Sequence, residues 1–237
     1  MPAFCLSVRA ALLLCSLMLV PPAALAATSL SISPLSLKLL GSQRGASLTV
    51  RNVSATAATF RMEVARWTQD TREQYEPTGD VIVNPSSFRL APGQVQTIRV
   101  ALRGNVEGTE RSYRVFLQEL PPAVSAEPAA DATVTLTTLY RVSVPMLVLP
   151  SGAVTKLAFT LDRQADTTVL TAVNTGTRYA FVGDLVFSVD GKPQKVSPFN
   201  VLAGGKLAFP LPGNPVRVTL NFTQQDVPQT LTLTTAP

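Results

Sequence analysis

Residues 133–148 read TVTLTTLYRVSVPMLV. Val134, Leu136, Thr138, Tyr140, Val142, Val144, Met146 and Val148 fall on one parity, with Leu139, Arg141, Ser143, Pro145 and Leu147 on the other. This is the period-two alternation of an extended chain with one face turned to an apolar environment. The first half, 133–140, carries no charged residue, whereas a secreted sandwich ordinarily blunts an exposed edge with charge or proline. A strand of this length and composition makes the fold all-β and raises the question of what its uncharged half packs against.

Working outward, the same alternation, broken by turn clusters about every ten residues, predicts strands over 30–39, 46–52, 59–67, 81–84, 94–102 and 111–120. With 133–148 these make seven, the count of an immunoglobulin-like sandwich. Pro121-Pro122 opens a stretch, Ala123 to Ala132, of Ala, Pro, Ser, Glu and Asp without apolar period, read as a long mobile hairpin loop. Beyond the turn Pro150-Ser151-Gly152 a second series is predicted over 154–161, 168–174, 181–189, 201–209, 215–222 and 231–234. The expected architecture is two immunoglobulin-like β-sandwich domains, 27–150 and 151–237, joined at an angle. The short connection holds them at a fairly fixed orientation and leaves a cleft between them as a natural binding place.

Ahead of this, Arg9 precedes an apolar run, Ala10 to Val20, that ends at Pro21 and the small residues Ala24-Leu25-Ala26. That is the pattern of a cleavable signal peptide over 1–26, cut after Ala26 or, as second choice, after Ala27. The run is too short to span a bilayer, so no membrane insertion is expected of the mature chain. Cys5 and Cys15, the two cysteines, both lie in the removed segment, and no disulfide framework can form.

Histidine is absent. Together with the loss of both cysteines this removes the usual general base, thiol nucleophile and zinc ligands, so neither enzyme activity nor a metal or cofactor is expected. Glu107, Glu110, Glu119 and Asp131 show no spacing that demands a hydrolytic carboxylate pair. The 20 Lys and Arg against 15 Asp and Glu give +5, or +4 without Arg9. The basic residues are scattered singly, as on a solvated surface, and nucleic acid is not an expected partner.

Several segments, in order, resemble the periplasmic pilus chaperones of the chaperone-usher pathway, the PapD-like family. They are Leu48-Thr-Val-Arg-Asn52, Asn84-Pro85 to Phe88-Arg89-Leu90-Ala91-Pro92-Gly93-Gln94 with Thr97-Ile98-Arg99, and Arg111-Ser-Tyr113-Arg-Val-Phe116-Leu-Gln-Glu119-Leu120-Pro121-Pro122. Val173-Asn174-Thr-Gly176 and Val201-Leu202-Ala-Gly204-Gly205 extend the likeness into the second series. Taken singly these residues have a fold-forming reading. Gly93 supplies positive φ to a type II turn, Gly176 and Gly204 act similarly, and Asn52 and Asn174 cap strand ends through side-chain to backbone bonds.

The resemblance implies a periplasmic, non-enzymatic chaperone that lends an edge strand to pilus or fimbrial subunits by donor-strand complementation and delivers them to an outer-membrane usher. Self-association of the unoccupied chain is a further partner state it allows. Val134, Leu136 and Thr138 are the expected donor residues, while Val142, Val144 and Met146 are read as buried in their own sandwich. The family anchors the subunit's terminal carboxylate with two cations in the interdomain cleft, which implies Arg141 on the last strand. On the first strand the expected arginine falls at Ser36, and Lys38, two residues on and on the same face, is the displaced candidate. The alternative from another class is an envelope adhesion or carbohydrate-binding module, disfavoured by a single Trp67 and few tyrosines.

Overall fold

The computed structural model describes residues 29–122, 138–164, 166–189, 192–224 and 227–235. Seventeen strands and no helix occur among them. One four-stranded sheet runs β1 (Leu30–Ser33), β3 (Gly45–Asn52), β7 (Val95–Leu102), β5 (Val81–Asn84). It packs on β4 (Ala58–Pro77), β8 (Arg111–Glu119), β9 (Arg141–Leu149) and β2 (Leu37–Leu40), with β6 (Ser87–Leu90) beside β4. Alternation does the sorting: on β7 Ile98, Val100 and Leu102 are buried while Thr97, Arg99 and Ala101 face out. Phe60, Tyr113, Val50 and Met146 lie at the centre of this first core, each fully buried.

A second core, centred on Leu170, Leu185, Leu220 and Val182, lies between two layers. One is β10 (Leu157–Gln164), β11 (Thr167–Asn174) and β15 (Lys206–Leu211). The other is β13 (Lys192–Lys195), β12 (Ala180–Val189), β16 (Arg217–Gln224) and β17 (Val227–Thr234), with β14 (Phe199–Val201) beside β12. The molecule is thus all-β and built as two sandwiches.

Two strands predicted as single pieces are split, and both splits matter. The 30–39 stretch divides at Pro34, which offers no N–H to a ladder. β1 pairs antiparallel with β3 in one sheet, and β2 crosses to pair parallel with β9 in the other. Likewise 201–209 divides at the Gly204 turn, where φ is +67°, and the chain passes from β14 beside β12 to β15 beside β11. β4 is twenty residues long where 59–67 was expected, and Asp70 and Thr71 near its middle pair parallel with Lys206 and Leu207 of β15. β15 occupies in the second sandwich the place of β7 in the first, so β4 takes the edge position that β5 takes beside β7. One sheet therefore runs through both sandwiches, from β10 to β2.

The predicted loop 123–132 and residues 133–137 of the predicted long strand lie outside the described residues. The described strand begins at Arg141, later than the predicted start. On it Val144 and Met146 are buried and Val142 packs against the first core.

Candidate functional site

An open cleft of 620 Å³ lies between the sandwiches, lined by Ser36, Lys38, Pro145, Leu147, Arg178, Tyr179, Phe181 and Asn200. Lys38 reaches it because β2 alternates: Leu37 and Leu39 enter the first core, and Lys38, opposite Leu147 in the parallel register, is turned the other way. Arg178 and Tyr179 come from the second sandwich, on the corner between β11 and β12. Lys38 Nζ and Arg178 Cζ each stand 5.7 Å from the centroid of the Tyr179 ring, within cation–π range. Two cations thus share one aromatic platform, and among the described residues no acidic side chain lines the cleft. Chemically, two cations at an open cleft suit an anion held by charge-assisted hydrogen bonds.

The corner carrying Arg178 is built around Asn174, fully buried. Its side-chain N–H groups donate to the carbonyls of Arg178 (2.7 Å) and Val201 (3.0 Å), and its Oδ1 accepts from Gly176 N–H (3.0 Å) and Lys156 N–H (3.2 Å). The first sandwich holds the corner from outside. Glu110 N–H donates to Thr177 O at 2.9 Å, and Tyr179 N–H donates to Glu110 Oε2 at 2.6 Å. Ser112 Oγ donates to the other carboxylate oxygen at 2.7 Å. Burial pushes the Glu110 carboxyl above the usual range, opposed by the Ser112 hydroxyl, the Tyr179 N–H and the Arg178 charge. Beside this clasp, Trp67, Leu147, Leu149 and Leu202 form a small third core against which Tyr179 packs. The Gln69 amide donates to Asn200 O (2.9 Å) and accepts from Leu202 N–H (2.8 Å).

β9 links the cleft to an open edge. Arg141 to Gln118 and Val148 to Arg111 mark the ends of its ladder with β8. Its other edge is covered by β2 only over Met146 to Leu149. Among the described residues, Arg141 to Pro145 therefore have a strand partner on one side only. Thr138, Leu139 and Tyr140 lead into this half and are exposed.

Of the residues singled out from sequence, Lys38 reaches the cleft. Arg141 does not: it lies six positions before Leu147, about 20 Å along an extended strand, where it stacks over Phe116 (4.3 Å to the centroid) and pairs with Glu63 at 3.5 Å. The register explains this, since Pro145 and Leu147 are the β9 residues beside the cleft. Thr138 is exposed beyond the β8–β9 ladder, and Val134 and Leu136 lie outside the described residues. Arg178 was missed as a cleft residue, and Glu110 as the residue that holds its corner from the first sandwich. The available signal was the repeat of the Asn52 corner at Asn174, with a cation and an aromatic just past it where the first corner has Thr56 and Ala57.

The fold and site define a two-sandwich protein with a cationic interdomain cleft. Residues 29–154, more than half of the chain, match the family of pili and flagellar-assembly chaperones through its PapD N-terminal domain, and the chain belongs to that family. Among solved structures it is similar to a chain of the CsuC–CsuE chaperone–tip adhesion subunit pre-assembly complex from archaic chaperone-usher Csu pili of Acinetobacter baumannii. That match has 18% identity, a TM-score of 0.68, and covers 88% of this chain and 100% of that one. The Escherichia coli chaperone DraB (19% identity, TM-score 0.59, 88% and 96% covered) has the same fold. So does a chain of the Salmonella enterica SafA pilin–SafB chaperone complex (17%, 0.59, 87% and 96%). No curated protein sequence matches the chain.

Proposed function

We propose that this pilus-assembly chaperone works in the periplasm, exported through residues 1–26, and binds pilus or fimbrial subunits by strand donation before passing them to an outer-membrane usher. The observation that carries the reading is the half-open edge of β9 running away from the cleft that holds Lys38 and Arg178. A subunit strand added along Arg141 to Pro145 and the residues before them gains main-chain hydrogen bonds, and Val134, Leu136 and Thr138 supply the side chains for its groove. Lys38 and Arg178 hold the subunit's terminal carboxylate at the lower end and so fix the register. Arg141, stacked and ion-paired on the outer face, contributes as an exposed pair, worth at most about 1 kcal/mol.

Co-expression with a cognate subunit is expected to give a stable one-to-one complex. Leu136→Asp places a charge in an apolar groove and weakens that complex by several kcal/mol, on the order of the cost of burying an unpaired polar group, with the free chaperone's thermal midpoint preserved. Arg178→Ala costs about 2–5 kcal/mol, seen as faster dissociation. Arg141→Ala is close to the parent. Unfolding by Leu136→Asp would turn that side chain into the chaperone's own core and overturn the donor assignment. Weakening by Arg141→Ala with none by Arg178→Ala would move the anchor out of the cleft.

A further inference from the structure

The cleft is larger than a carboxylate needs, and one of its walls has no part in the anchor. That wall is Phe181. Ala180 and Val182 enter the second core, so alternation along β12 turns Phe181 outward, opposite Asn200 and into the cleft. Phe181 is 38% exposed and belongs to none of the three cores. Its ring reaches along the strand over Gly183, where a Cβ would stand 3.3 Å from Phe181 Cε1. The Tyr179 ring nearby is engaged by two cations. Among the described residues the Phe181 ring has neither a cation nor an aromatic partner.

What can reach this ring is set by Pro145, which belongs both to the half-open edge of β9 and to the cleft lining. Tyr140 O accepts from Glu119 N–H on the β8 side, and Leu149 O accepts from Gly41 N–H on the other. By the alternation of the ladder, Arg141, Ser143 and Pro145 turn their backbone groups to the uncovered edge. Pro145 has no N–H to give, and from Met146 onward β2 occupies that edge. A strand added along the edge toward the cleft therefore stops beside Pro145. We propose that Phe181 and Pro145 form a side-chain subsite next to Lys38 and Arg178, which selects subunits whose last residue is large and apolar and rejects those that end in a basic one. The occupant rests on the strand-donation and carboxylate-anchor reading, whereas the subsite rests on the lining of the cleft alone.

The probes are acetylated tripeptides with a free terminal carboxylate that end in Phe, Ala, Glu or Lys, and the Phe peptide as its terminal amide, titrated into the chaperone by NMR. The Phe peptide should bind about tenfold more tightly than the Ala peptide, as expected for burying much of one aromatic side chain, and the Lys peptide more weakly than either. A Glu peptide that binds as tightly as the Phe peptide would make the cleft a plain cation site and overturn the subsite. Phe181→Thr keeps a strand-forming residue at an exposed position, so it should hold the parent's thermal midpoint and bring the Phe and Ala peptides within twofold of each other. A preserved Phe preference in that variant overturns the proposal. So does equal weakening of both peptides, which would make the ring a support of the cleft rather than a reader of the side chain. If Phe181→Thr does not fold, Phe181→Leu decides by the same comparison, with an expected preference smaller than the parent's. A parent that binds the Phe carboxylate and amide alike, yet favours Phe over Ala through Phe181, overturns the anchor reading and leaves the subsite standing. A parent that binds none of the peptides overturns both.

Discussion

The corner after Asn52 and the corner after Asn174 are wired alike and placed differently. Each asparagine is fully buried and opposes the first residue of a neighbouring strand, Leu30 in one case and Leu157 in the other. Each donates to the carbonyl four residues on, Thr56 or Arg178, and to one across the sandwich, Leu90 or Val201. Each Oδ1 accepts the N–H two residues on, from Ser54 or Gly176, at 3.0 Å. Each backbone N–H reaches the turn that carries a positive-φ glycine, ending on Gln94 O or Gly205 O. The two sandwiches are a structural repeat down to these bonds.

What is mounted on the corner differs. Ala55, Thr56 and Ala57 of the first are exposed and do not line the cleft. Thr177, Arg178 and Tyr179 of the second are half-buried, clasped by Glu110, tied to Val154 and turned into the cleft. A rigid corner is a fold-forming device in both places. In the second it lies at the junction and mounts Arg178 and Tyr179 on the cleft, in the manner of a loop positioned by a scaffold.

The sharpest way to break this comparison is to delete both asparagines. Asn52→Ala strands two carbonyls and the Ser54 N–H, and Asn174→Ala strands two carbonyls and the N–H groups of Gly176 and Lys156, so each should cost about 2–4 kcal/mol by urea denaturation. The pair separates in the cleft: Asn174→Ala also loosens Arg178 and loses carboxylate-peptide binding, whereas Asn52→Ala, measured below its own unfolding transition, keeps it. Equal loss of binding in both would make the corners mere stability elements.

A smaller contrast lies two residues on. Ser54 carries a side chain in the first corner and bonds Asn52 Oδ1 with its hydroxyl at 2.6 Å. Gly176 cannot be treated the same way: a Cβ there would meet Val154 O at 2.3 Å and Lys156 N at 2.6 Å, both backbone atoms of the linker. Gly176→Ser should cost about 1–3 kcal/mol as an overpacked site. Ser54→Gly, which loses one hydroxyl bond at a half-exposed position, should cost about 1 kcal/mol or less. Similar costs would mean that the linker moves aside freely.

This contrast also marks where sequence reading reached and where it stopped. Alternation placed most strands, because period two survives wherever one face is buried, but not the short β6 and β13, and the ordered motifs around Asn52, Pro92-Gly93 and Pro121-Pro122 carried the family. Side-chain pattern does not report which sheet a strand joins, so the crossings at Pro34 and at Gly204 were read through as continuous strands. Lys38 was found because a strand fixes the face of each residue once its parity is known. Arg141 was placed in the cleft by homologous position alone, while the actual register sets Pro145 and Leu147 there. Arg178 and Glu110 escaped because they meet across 68 residues of sequence, in a contact that no local period encodes.

The least perturbing change tests the tie between the second corner and the linker. Val154 N–H donates to Thr177 Oγ1 at 3.0 Å, and Val154 O accepts from the N–H groups of both Thr177 and Arg178. Thr177→Ala removes only the first of these bonds and leaves an N–H that water can reach, so the expected loss is about 0.5–1 kcal/mol. The equivalent position in the first corner is Ala55, exposed and without a linker to hold, and Ala55→Thr should stay within about 0.5 kcal/mol of the parent. The two backbone bonds to Val154 O remain in Thr177→Ala, so carboxylate-peptide binding should change less than twofold. If instead that variant lost as much stability as Gly176→Ser, the hydroxyl rather than the backbone would be holding the linker to the corner. The second corner would then owe its rigidity to one side chain that the first corner lacks, and the parallel between them would extend only as far as the asparagine.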